Sequence, residues 1–286
     1  MNDNRNDNRT EYRKVSFFRG FGWILASGDM LGRGLGPLAG VAMVWLLVSL
    51  IQVVPVIGPL VLSLFMPLLT AGLLFSFHLV ANGQSPTPTA LFIGWRQPAI
   101  RFGLLALGLW VLVGMFLAAT LALGWISSQI GAENLERAME NPELLPGLLE
   151  GASIMPGLLM GMGVAVIVMA ALYFAIPLVL FRRLSALRGL GLSLKACLNN
   201  LPAMIGLVLA IIILGIAVGF ILLLVSGLIG LALGDQVGGI IAQILFLIVA
   251  LLVQLILAGA QYSAFCDIFG LQAPGPDSAD TGHLVA

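Results

Sequence analysis

From Gly34 to Trp95 the chain contains no residue that is charged at neutral pH. As one helix this stretch would extend roughly 90 Å at 1.5 Å per residue, about three times the thickness of a bilayer's hydrocarbon core. It must therefore fold back on itself. Val54-Pro55-Val56-Ile57-Gly58-Pro59 supplies the reversal, because two prolines and a glycine interrupt the helical hydrogen bonds and permit a tight turn. Two apolar spans follow, near 37–54 and 59–81.

Four further charge-free runs predict spans near 102–126, 156–181, 202–230 and 239–265. Composition agrees: 60% of the residues are hydrophobic and 9% are charged, against roughly 25% charged in a soluble domain. The mean hydropathy is +1.08. A water-soluble fold would have nowhere to place this much apolar surface. The expected fold class is an all-α integral membrane protein with six transmembrane helices in contact with the lipid bilayer. Thirteen basic and thirteen acidic residues cancel, which argues against nucleic acid as a partner.

Six crossings place both ends on one side. On that threading Arg5, Arg9, Arg13, Lys14, Arg19, Arg33, Arg96, Arg101, Arg182, Arg183, Arg188 and Lys195 share one face, and only Arg137 lies opposite. Basic loops are retained in the cytoplasm, so both termini are expected there. The other face carries Glu133, Glu136, Glu140, Glu143, Glu150 and Asp235, mostly in the polar loop 127–155, where Ala132–Glu140 reads as a short helix. Residues 1–16 repeat Asn-Asp-Asn-Arg without the apolar core of a signal peptide, and 271–286 are rich in Pro, Gly and small polar residues. Both are expected to be disordered cytoplasmic tails flanking a membrane domain at 17–270.

The spans also rhyme. The odd-numbered ones open on proline at Gly36-Pro37, Gln97-Pro98 and Leu201-Pro202, where a missing N–H lacks an intrahelical partner anyway. Before each lies a stretch suited to an amphipathic helix in the headgroup plane, near 17–33, 88–96 and 184–200. The even-numbered ends match as Ala71-Gly72 through Ser76 to Gly83 and Ala258-Gly259 through Ser263 to Gly270, with Ala171-Leu172-Tyr173-Phe174 as a degenerate third copy. The pattern predicts three hairpins of one orientation, each preceded by an interfacial helix.

Val54-Pro55-Val56-Ile57-Gly58-Pro59, Met66-Pro67-Leu68-Leu69-Thr70-Ala71-Gly72-Leu73, Leu91-Phe92-Ile93-Gly94-Trp95 and Leu192-Ser193-Leu194-Lys195-Ala196-Cys197-Leu198-Asn199-Asn200-Leu201-Pro202 together resemble a family of uncharacterised proteobacterial six-helix inner-membrane proteins. More distantly, the chain is similar to the membrane domain attached to some glycerophosphodiester phosphodiesterases. The resemblance spans roughly residues 17–270 and implies a bacterial inner membrane. It implies no activity and no functional residues.

Chemistry is sparse. His78 and Asp267 lie near span ends, where snorkelling tolerates them. With only two histidines no histidine metal cluster can form, and no serine or cysteine has a base and an acid to activate it. Cys197 and Cys266 read as inert small apolar residues. No cofactor, metal or enzymatic activity is expected. Gly32-Arg33-Gly34-Leu35-Gly36 is discounted as a nucleotide loop, since no strand precedes it. Glycine pairs at Gly157/Gly161, Gly215/Gly219 and Gly230/Gly234 have the spacing that lets helix backbones approach.

Gln243, Gln254 and Gln261 share one face of the sixth span, with Gln52 as a partner closest to Gln243. That stripe either lines a polar cavity or hydrogen-bonds neighbouring helices, the commoner use. The function expected is a non-enzymatic membrane scaffold or module assisting a lipid or membrane-protein partner. The alternative is a transporter of a small uncharged or hydrophobic solute.

Overall fold

In the computed structural model residues 12–149 and 153–270 are described; most of the two expected tails, 1–11 and 271–286, and Glu150 lie outside them. Among the described residues all regular structure is helical, and six helices are long and apolar enough to cross a membrane. These are α1 (Arg19–Ser49), α2 (Ile57–Ala81), α4 (Pro98–Ile130), α7 (Met155–Arg182), α9 (Leu201–Leu233) and α10 (Asp235–Phe269). Shorter helices α3 (Ile93–Arg96), α5 (Ala132–Glu140), α6 (Leu145–Leu149) and α8 (Ala186–Asn199) connect them.

The long helices outrun the apolar spans read from sequence. A charge-free count measures hydrocarbon thickness, whereas a hydrogen-bond ladder continues until the backbone stops it. For α4 and α9 the stop is Gly131 (φ 88°) and Gly234 (φ 77°), which take up left-handed conformations open to glycine. The first lead-in stretch, expected as a separate piece at 17–33, instead runs into the span as α1, with a kink at Gly34 (φ −138°, ψ 27°). Pro37 explains the kink: it lacks an N–H, and its ring crowds the carbonyl of Arg33 four residues back. Pro98 and Pro202 do sit in the first turns of α4 and α9. The reversal at 54–56 is followed immediately by α2, where Pro59 falls in the first turn and Gly58 packs so closely that a Cβ would overlap the Ile51 carbonyl.

Burial is concentrated at one end of the bundle. On α2 it runs from Leu62 to Val80, on α7 from Val168 to Leu180, and on α10 from Leu255 to Phe269. Arg13, Arg19, Arg182 and Asp267 gather there, so we call it the basic end; Glu133 and Arg137 of α5 lie at the other. Toward the opposite end α9 buries nothing beyond Ala210, and α10 buries only Gly238 before Leu255. There the two helices lie against each other at Gly230 and Gly238, leaving Ile216, Phe220, Leu224, Phe246 and Ile248 exposed.

The lead-in segments dock in a common register. A Cβ at Gly72 of α2 would overlap the Leu91 carbonyl of the 88–92 turn. Ser27 of α1 lies against Gly259 of α10 and donates to the Ile256 carbonyl at 2.8 Å. Ser193 of α8 bonds α7 at Ala170 and Phe174. In the expected repeat Gly72, Gly259 and Leu172 correspond; the first two are themselves contact points, and on α7 the contacts fall at Ala170 and Phe174, on either side of Leu172. All three spans then end on a left-handed residue, at Gly83 (φ 72°), Arg183 (φ 52°) and Gly270 (φ 65°). Ser76 and Ser263, also equivalent, bond back to the carbonyls of Gly72 and Gly259.

Candidate functional site

The polar groups of the basic end converge on Asp267, in the last turn of α10. Its Oδ2 accepts from Arg19 Nε at 2.7 Å and from Trp23 Nε1 at 3.0 Å, both on α1. Arg13 donates to the Asp267 carbonyl from Nη2 at 2.8 Å and from Nε at 3.2 Å, and its backbone N–H donates to the Ile268 carbonyl. Asn200 completes the clasp: Oδ1 accepts from Val15 N–H at 2.8 Å, and Nδ2 donates to the Arg13 carbonyl at 3.1 Å. Residues 12–16, expected within a loose tail, are thus tied to α10 and to the start of α9. A polar sequence can be ordered when its backbone groups find buried partners, and composition does not report those partners.

Beside the clasp, α1 and the end of α10 enclose a groove of about 480 Å³ lined by Arg19, Asp29, Arg33, Ser263, Cys266 and Asp267 among others. Deeper, α2, α7 and α10 meet around His78. Its Nδ1 lies 3.0 Å from the Tyr262 hydroxyl, and its ring is 5.2 Å from that of Phe181. Phe265 stacks on Phe181 with ring centroids 5.8 Å apart. Among the described residues no group of three His, Cys, Asp or Glu could hold a metal ion.

The glutamines separate. Gln261 Nε2 donates to the Tyr173 carbonyl at 2.6 Å. That oxygen lacks its helical partner because the residue four positions on is Pro177, which has no N–H. One turn earlier, the Phe174 N–H donates to Ser193 Oγ at 2.9 Å while Ser193 donates to the Ala170 carbonyl at 2.8 Å. The Ser193 hydroxyl thus bridges two backbone groups of α7, and Cys197 Sγ donates to the same Ala170 carbonyl at 3.4 Å. Burial pushes the Cys197 thiol up to about 12, with the Ser193 hydrogen bond pulling weakly the other way. A thiol that stays protonated is a poor nucleophile.

Gln254 lies half-buried in a groove of about 320 Å³ between α9 and α10, beside Gly215 and Gly219, neither of which has a neighbour that a Cβ would meet. Gln243 is exposed, as is Gln52 in the 3-10 turn Leu50–Val53, and no hydrogen bond joins them. Gly157 and Gly161 do bring α7 against Trp125, Ala122 and Ala118 of α4, whereas Gly230 packs on Gly238 across the turn. The role of Gln261 was foreshadowed by Pro177, since every proline within a helix leaves a carbonyl seeking a donor; that the donor comes from α10 is decided by the fold. No family model matches the chain, and no curated protein or solved structure matches it.

Proposed function

We propose that this chain is a non-enzymatic scaffold of a bacterial inner membrane, built as three hairpins with both termini in the cytoplasm, that holds a lipid or membrane-protein partner. One observation carries the reading: the polar side chains between the packed helices are committed to the fold itself. Gln261 supplies the donor that Pro177 withholds from Tyr173, Ser193 ties α8 to α7, Ser27 ties α1 to α10, and His78 bonds Tyr262. Of the buried side-chain donors and acceptors, Trp45 Nε1 alone among the described residues has no partner. A solute route needs groups that exchange partners; these are held in place. The common docking register of the lead-in segments supports the three-hairpin arrangement, and the gathering of basic residues at one end supports cytoplasmic termini.

Transport of a small uncharged or hydrophobic solute is the competing reading and rests on the Gln254 groove. Copurification from gently solubilised membranes separates the two. A scaffold is expected to carry a stoichiometric lipid or protein, in the Gln254→Leu variant as in the native chain. Repeated isolation of the chain alone overturns the scaffold reading, and loss of solute uptake in Gln254→Leu establishes the other.

A further inference from the structure

We infer that the cleft between α1, α2 and α3 is a binding site for an anionic glycerophospholipid, with an acyl chain lying in the cleft and the phosphate at Arg96. This site rests on the scaffold reading and gives its partner a chemistry. The cleft has a volume of about 250 Å³ and is walled by Val48 and Ile51 of α1, by Val61, Phe65 and Leu69 of α2, and by Trp95 of α3. Every side chain that lines it is apolar or aromatic. From Leu69 to Val61 it follows α2 for roughly 12 Å at 1.5 Å per residue.

The fold holds this cleft open. Close approach of the Leu91 carbonyl to Gly72, and of Leu68 and Leu104 to Gly94, pins the 88–96 segment against α2 and α4. Trp95 then stacks on Phe65 with ring centroids 6.2 Å apart, and Phe92 packs on Trp95 at 5.6 Å. Ile51 and Phe92 are each 39% exposed, so the cleft opens sideways from the bundle. Because α1 and α2 are long and apolar enough to cross a membrane, what lies beside that opening is hydrocarbon.

Charge says which lipid. Arg96 ends α3 one residue after Trp95 and is exposed, and among the described residues its guanidinium has no hydrogen bond or ion pair. Arg101, in the first turn of α4, adds a second positive charge and lies 5.2 Å over the adjacent Phe102 ring. The chain has no acidic residue between Asp29 and Glu133. The hydrocarbon-facing surface of α4 begins just beyond these arginines, at Phe102 (64% exposed), and continues through Leu109 and Val113. That places Trp95, Arg96 and Arg101 at the headgroup boundary, where aromatic rings and snorkelling cations sit. A guanidinium there can hold two phosphate oxygens side by side.

The test uses the full chain in nanodiscs of phosphatidylcholine with and without phosphatidylglycerol, reading retained lipid by native mass spectrometry after transfer to detergent. Selective retention of phosphatidylglycerol is expected. Arg96→Gln should weaken it about five-fold, and Arg96→Gln with Arg101→Gln roughly thirty-fold, as for about 1 kcal/mol per cation at an anionic surface. Val61→Trp, which fills the cleft without altering charge, should weaken it too. Lys14→Gln with Lys195→Gln removes two charges elsewhere and should leave it near the native level. Equal retention of both lipids overturns the proposal, as does an equal loss in the Lys14/Lys195 control or native retention in Arg96→Gln or Val61→Trp. Those results leave a scaffold that holds some other partner, whereas isolation of the chain bare of lipid and protein overturns both readings. Displacement of the lipid by inorganic phosphate or glycerol phosphate at matched concentration would make this a free-anion site and overturn it likewise.

Discussion

Gln261 of α10 donates a 2.6 Å hydrogen bond to the Tyr173 carbonyl of α7, the oxygen that Pro177 leaves without a helical donor. Gln261→Leu removes that donor and should cost about 1 kcal/mol, the usual size of an interhelical hydrogen bond in lipid. Pro177→Ala restores a backbone N–H, so in that background the same substitution should cost much less. A double-mutant cycle by reversible unfolding in mixed micelles measures the difference. Equal costs in both backgrounds would show that the carbonyl is satisfied some other way.

Asn200 holds the segment 12–16 through Val15 N–H and the Arg13 carbonyl, from a side chain that is 1% exposed. Asn200→Ala should free Arg13 and Lys14 for tryptic cleavage while the rest of the chain stays protected. The readout is the rate of N-terminal trimming in limited proteolysis. Cleavage at the native rate would mean that the Asp267 contacts alone hold the segment.

Glycines of the long helices divide by what surrounds them. At Gly72 an added methyl would overlap the Leu91 carbonyl, which is backbone and cannot swing away, so Gly72→Ala should destabilise by about 1–3 kcal/mol. Gly219→Ala points into open space and should change stability by less than about 0.5 kcal/mol. Thermal denaturation in detergent compares the two. Similar midpoints for both variants would contradict the close docking of the 88–92 turn on α2.

Single cysteines introduced at positions 96 and 188 in a background lacking Cys197 and Cys266 should react with a membrane-impermeant maleimide from one face of the membrane. A cysteine in place of Met139 on α5, 73% exposed, should react from the other. Labelling in right-side-out and inverted vesicles gives the answer. Opposite sidedness of 96 and 188 would refute the threading.

Much of the architecture was legible because the bilayer reduces folding to few choices. Charge-free runs located six helices, and Val54 to Pro59 located a reversal that the structure places at 54–56. The helix Ala132–Glu140 appears at its expected bounds. Less was legible of the polar groups. Spacing put Gln243, Gln254 and Gln261 on one face, yet they meet different surroundings: open surface, a groove, and a proline-opened carbonyl. Helical periodicity specifies direction around an axis, and at different heights the same direction meets different neighbours.

The sequence by itself determined that this chain is helical and suited to a membrane, since backbone N–H and C=O groups in hydrocarbon must bond within their own segment and few charges can enter. It also carried the repeat that marks Gly72 and Gly259 as equivalent. Only the tertiary structure decided what those positions receive, a turn carbonyl at one and the Ser27 hydroxyl at the other, and that Asp267 answers Arg19 and Trp23 from the far end of the chain. Apolar burial carries no direction, so which helices touch, and at what height, follows from shape and from the few donors that must find an acceptor.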